Sequence, residues 1–210
     1  MSSIWNDIKK DIKPKSWISK YRQTSIKYLL IMLCFYYGMG ALISVSWTNI
    51  IGIFLPFYPQ QEIPRSLIPV MTAGLFEESL FFGIPFYLFY NNIIVLSTGI
   101  IWSTLHLFNT NNLDIMYLSY GNWIFTLVTL FFSLRTWISG KGWFSIISHT
   151  LWNLAFFFLG CQINHETNSI CNYTGTLQDS DISSIVSAII LLLLTILIMQ
   201  IRKKNLLKIK

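Results

Sequence analysis

Charge is scarce in this sequence. Asp, Glu, Lys and Arg make up 11% of its 210 residues, where a soluble domain carries about 25%. A chain this poor in charge could not cover its own surface with polar groups in water. That argues against a separate soluble domain. It leaves the bilayer as solvent, because 53% of the residues are hydrophobic and they come in long blocks. No internal repeat, low-complexity tract or inverted pair of segments is visible, which weighs against a transporter built from repeats. A cleavable signal peptide is also missing. The first apolar run starts late and is too long for one, so it reads as a signal anchor. The cysteines are Cys34, Cys161 and Cys171. Cys34, inside an apolar run, reads as inert packing. Cys161 and Cys171 share a polar loop and could pair in an oxidising compartment.

What is present is a series of apolar segments, at 26–47, 67–90, 93–110, 114–138, 143–160 and 183–201. Each is near the ~20 residues that cross a hydrocarbon core. The expected fold class is therefore all-α, a polytopic transmembrane bundle of about six spanning helices. Residues 1–25 form a basic, interfacial segment, 26–201 the bundle, and 202–210 a basic tail. Ile4, Ile8 and Ile12 recur every fourth residue opposite Lys9, Lys10 and Lys13, as in a helix lying on a membrane surface; a disordered basic tail is the equal alternative. The stretch 48–66 is punctuated by Pro56, Pro59 and Pro64 and reads as a re-entrant or surface-lying piece.

The net charge is +6, and the basic residues cluster at the two ends. They flank membrane segments and form no groove-reading motif, so the expected partners are anionic lipid headgroups and not nucleic acid. Six crossings place both termini in the cytoplasm, with Arg135 and Lys141 also inside. The loop 161–182 then falls outside. It holds Glu166, Asp179 and Asp181, no Lys or Arg, and the glycosylation sequon Asn172-Tyr173-Thr174. Arg65 is the one basic residue on the outer side. The cell membrane is the expected location.

Ionisable side chains in mid-membrane cost about 2.5–3.5 kcal/mol each on insertion scales. Three segments carry polar groups there: Glu77 and Glu78 on the second, His106 on the third, His149 and Asn153 on the fifth. The economical arrangement turns them inward on one another. His149 and Asn153 are four apart and share a helix face. Glu77 and Glu78 are about 100° apart, so both can border a cavity but not point the same way. Adjacent carboxylates in such a site repel unless a cation, a proton or a hydrogen-bond donor sits close. A single buried His or Asn is often no more than an interhelical hydrogen bond. The whole set is harder to explain that way, since such a bond needs only one polar group.

Glu77-Glu78-Ser79-Leu80-Phe81-Phe82-Gly83 resembles the first motif of the CPBP family. These are intramembrane proteases related to CAAX prenyl endopeptidases and bacteriocin-processing, Abi-like enzymes. That motif is two glutamates, three residues and an arginine, often followed by glycine. Trp102 to His106 resembles the second, a phenylalanine and a histidine four residues later. His149 to Asn153 matches the third, a histidine and an asparagine four apart. The resemblance spans about residues 67–158. Two positions depart from it: Phe82 stands for the arginine, and Trp102 for the phenylalanine.

The resemblance implies peptide-bond hydrolysis within the membrane, on a membrane-associated peptide or protein. It makes Glu77 the general base, assisted by His106, and His149 with Asn153 the donors to the oxyanion. Glu78 would orient its neighbours or accept from the substrate backbone. No cofactor is expected. The alternative is zinc on Glu77, His106 and His149 with water in the fourth position, as in catalytic zinc sites; no His-x-x-x-His motif accompanies it. Because Phe82 removes a cation, a non-catalytic relative acting as subunit or scaffold with another membrane protein is the rival function. A proton or cation transporter is the third, since buried Glu and His suit one. Trp47, Trp123, Trp137 and Trp143 read as interfacial belt residues, and Gly38 and Gly40 as sites of close helix packing.

Overall fold

A computed structural model describes residues 24–54, 67–108, 116–163 and 179–208. Among these the chain is helical throughout. The helices are α1 (Ile26–Phe54), α2 (Leu67–Glu78), α3 (Ile84–Phe89), α4 (Asn92–Leu105), α5 (Met116–Ile138), α6 (Gly142–Ile163) and α7 (Asp179–Lys208). Every expected segment contains a helix. The interfacial helix at 1–20 and the pairing of Cys161 with Cys171 lie outside the described residues and side chains, as does the sequon.

Two boundaries differ from the sequence reading. The first helix continues to Phe54, so residues 48–54 extend a long helix and are not the start of a re-entrant piece. Pro56 explains this: a proline disfavours helix at the residue before it but not further upstream. The loop read as 161–182 is shorter at both ends, because α6 runs to Ile163 and α7 begins at Asp179.

α5 runs through the interior. α1 packs along it, α4 and α6 flank it, and α2 lies against α6 and α7. Among the described residues three helices are long and apolar enough to cross a membrane: Ile26–Ile50, Leu67–Phe89 and Asp181–Arg202. Asn92–Leu105 is a shorter apolar one. α5 and α6 carry many small hydroxyl residues on buried faces, among them Thr126, Thr129, Ser133, Thr136, Ser145 and Ser148. Several of these hydroxyls donate to a carbonyl one turn back, as Thr129 does to Phe125 at 3.0 Å and Ser148 to Phe144 at 2.7 Å. Such pairing lets a polar residue sit in an apolar bundle. The outer faces are apolar instead: Leu42 and Val45 on α1, Ile190, Leu193 and Leu197 on α7 are all exposed, as lipid-facing residues are. Cys34 is exposed as well, so it lies on the outer face of α1 and is not internal packing. Gly40 meets the expectation of close packing, lying against Phe125, whereas Gly38 faces open space.

Two local features aim the helices that matter. Pro85 has no N–H, so the carbonyl of Phe81, four residues earlier, loses its helical partner. The chain answers with a wider π turn over Ser79–Gly83, closed by Ile84 N–H donating to Ser79 O. Thr98 Oγ1 on α4 donates to the freed Phe81 carbonyl at 2.5 Å. Thr98→Val should leave that carbonyl unpaired and lower stability by about 1–3 kcal/mol. An unchanged unfolding transition of the purified variant would contradict this role. The second feature is the turn after α5. Gly140 takes a positive φ of 73°. Gly140 N–H donates to Trp137 O at 2.9 Å and Lys141 N–H to Thr136 O at 2.8 Å. This is the glycine-terminated double bond that ends many helices. It sends α6 back antiparallel to α5, with His149 two turns in.

Candidate active site

Glu77 and Glu78 end α2, just before the π turn. α2 comes close to α6 because Gly74 has no side chain. A Cβ there would lie 2.5 Å from Thr150 Oγ1 and 2.8 Å from Thr150 N. Thr150 is the neighbour of His149, so this contact brings the histidine against both carboxylates. His149 Nε2 is 3.7 Å from Glu77 Oε2, and its Nδ1 is 3.4 Å from Glu78 Oε1. Each ring nitrogen thus faces a different glutamate. His106, at the end of α4, places Nε2 3.8 Å from the same Glu77 oxygen.

The two glutamates are not equivalent. Glu77 is partly open, with its side chain 24% exposed, while that of Glu78 is sealed at 1%. Glu78 accepts from Ser133 Oγ at 2.7 Å and from Trp137 Nε1 at 2.8 Å. Ser145 Oγ donates in turn to Ser133 Oγ at 2.9 Å. Glu77 Oε2 accepts from Trp102 Nε1 at 2.5 Å. The mutual repulsion expected of adjacent carboxylates is therefore met by donors on each, and by their pointing to different helices. The indole of Trp102 also lies edge-to-face with both imidazoles, with centroids 5.0 Å from His106 and 5.6 Å from His149.

The tautomer of His106 follows from its partner. His106 Nδ1 lies 2.9 Å from Trp102 O. A carbonyl only accepts, so Nδ1 carries the hydrogen, and in the neutral ring Nε2 carries the lone pair. That lone pair and the Glu77 carboxylate are two acceptors facing across 3.8 Å. A water beside the gap, at hydrogen-bond lengths of about 2.8 Å, can donate to both.

Glu77, Glu78, His106 and His149 are thus brought together. Asn153 shares the His149 face of α6 and is half-buried, but it makes no hydrogen bond to either glutamate or histidine. Trp102, Trp137 and Ser133 escaped the sequence reading as members of the site. Trp137 in particular is no belt residue: it is 4% exposed, with its indole directed at Glu78. Room for that indole comes from Gly83 and Gly142, where an added Cβ would strike the Trp137 ring. A signal was present. Trp102 and His106 are four apart, as are Ser133 and Trp137, so each pair shares a helix face.

Residues 59–155 match the family described as Rce1-like, type II CAAX prenyl endopeptidase Rce1-like. The match covers under half of the chain and marks a likeness of that segment to the family. All five candidate residues fall inside the matched segment. No curated protein and no solved structure matches the chain. That segment is thus similar to part of a type II CAAX prenyl endopeptidase. Phe82, in place of the motif arginine, is fully buried and packs edge-to-face on Trp102 with ring centroids 5.5 Å apart.

Zinc would draw its ligand atoms closer together than these side chains lie. Tetrahedral zinc with bonds of about 2.0–2.1 Å brings its ligand atoms to about 3.3 Å of one another. The Glu77–His106 and Glu77–His149 separations are 3.8 and 3.7 Å, and the shared oxygen already receives the Trp102 hydrogen. Among the described residues no group of three His, Cys, Asp or Glu side chains is disposed to hold a metal.

Proposed function

We propose that the protein is an intramembrane endopeptidase that cleaves a membrane-associated peptide or protein with Glu77 as general base. The observation that carries this is one carboxylate oxygen facing two imidazole Nε2 atoms at 3.7 and 3.8 Å in a partly open site. Water held by Glu77 and His106 Nε2 attacks the scissile carbonyl carbon, and Glu77 takes its proton. His149, with the Asn153 amide, donates to the oxygen that becomes negative. The C–N bond then breaks, the proton on Glu77 passes to the leaving amine, and a carboxylate and an amine depart. A positioned base contributes about 10²–10⁴-fold, and one oxyanion donor about 10²–10³-fold. Glu78, sealed from solvent, orients His149 and has no access to substrate.

The hydrolysis needs no metal in this reading. Metal analysis of purified protein should find zinc well below one per chain. Stoichiometric zinc, lost in both His106→Ala and His149→Ala, would overturn that part. We place the protein in the cell membrane with both termini cytoplasmic, the orientation favoured by the basic ends. The substrate test uses a quenched, S-farnesylated peptide ending in a CAAX sequence, chosen for the family's description. Cleavage by purified protein in liposomes supports the proposal. A folded protein that cleaves neither this peptide nor membrane-spanning peptides, and that copurifies with another membrane protein, would favour the scaffold role instead.

A further inference from the structure

Phe82 and Trp102 each break the motif pattern, and they touch each other. Phe82 has no exposed surface, and its ring lies against both Trp102 and the backbone of Gly99, where a Cβ would come within 2.9 Å of Phe82 Cε1. The space at 82 is therefore fully used by an apolar ring. On its far side that ring supports the indole whose N–H meets Glu77 Oε2 at 2.5 Å. We propose that Trp102 is a positioning residue: its N–H fixes the Glu77 carboxylate against both imidazoles, and the buried Phe82 ring holds the indole in place. As a statement about rate, this rests on the hydrolase reading above.

The chemistry differs from that of a guanidinium. Arginine binds a carboxylate bidentately and neutralises its charge. An indole supplies one neutral hydrogen to one oxygen. It fixes where that oxygen sits while leaving the negative charge available to accept a proton. Trp102 is suited to this because it touches every other member of the open half of the site. Its carbonyl sets the His106 tautomer, and its ring edge packs both imidazoles. Trp137 performs the same service for the closed half, on Glu78.

The test uses the full-length protein in detergent micelles and in liposomes. Indole ¹H–¹⁵N spectra of wild type should show the Trp102 hydrogen displaced downfield, and Glu77→Gln should move it upfield while leaving Trp137 in place. A Trp102 resonance indifferent to Glu77→Gln overturns the proposal, whether or not any peptide is cleaved. On the farnesylated peptide, Trp102→Phe should lower kcat about 10–100-fold, the usual effect of removing a group that orients another, with KM nearly unchanged. Wild-type kcat in Trp102→Phe contradicts the positioning role. A wild type that cleaves nothing counts against the hydrolase reading and leaves the spectra to decide the contact.

Discussion

Glu77→Gln is expected to lower kcat about 10²–10⁴-fold, the range for removing a positioned general base, with stability close to wild type. The substitution is nearly isosteric. Its amide oxygen can still accept the Trp102 N–H that Glu77 Oε2 receives at 2.5 Å, and the residue is partly open, so little packing changes. What the amide cannot do is take a proton from water. The measurement is steady-state cleavage of the farnesylated peptide in liposomes beside thermal unfolding of the same preparation. A variant that cleaves as fast as wild type would remove Glu77 as the base.

Glu78→Leu should do the opposite: its main effect is on stability. The Glu78 side chain is 1% exposed and accepts from both Ser133 and Trp137. Leucine fills a similar volume but accepts nothing. Each orphaned buried donor costs about 1–3 kcal/mol, so the pair should lose about 2–6 kcal/mol. The loss does not mean that the buried carboxylate is itself worth that much. Burying a charge is penalised, and replacing all partners by apolar groups is often neutral or stabilising. The quadruple variant Glu78→Leu, Ser133→Ala, Trp137→Phe, Ser145→Ala, which also removes the hydroxyl that donates to Ser133, should therefore recover part of the loss. Unfolding in mixed micelles checks both. A Glu78→Leu protein within about 1 kcal/mol of wild type would mean that these contacts carry less than the smallest orphaned-donor penalty.

The sequence was most legible where the bilayer is least forgiving. Glu77, His106 and His149 can be joined from the sequence alone because ionisable groups in mid-membrane must find one another. The same constraint separates Asn153 from them: an amide is tolerated alone, and it stands apart from their hydrogen bonds. The 100° between Glu77 and Glu78 announced different directions. Which one faces the open site depends on how α2 rotates against α6, and that rests on Gly74 meeting Thr150. Trp137 was harder still. An indole has a large apolar body and one polar hydrogen, so by composition it reads as lipid-facing until its partner is seen. Pro85 was visible, but its consequence runs through Thr98 on another helix. The first helix outran its expected end because apolar residues continue to Phe54, and only Pro56 lies beyond to stop them.

The most direct measurement is cleavage of the farnesylated peptide by purified, metal-stripped protein in H₂¹⁸O, read by mass spectrometry. The account predicts one new fragment pair, with ¹⁸O in the fresh carboxylate and undiminished rate after chelation. Intact peptide after prolonged incubation with folded protein, or cleavage that returns only when zinc is added, would contradict it.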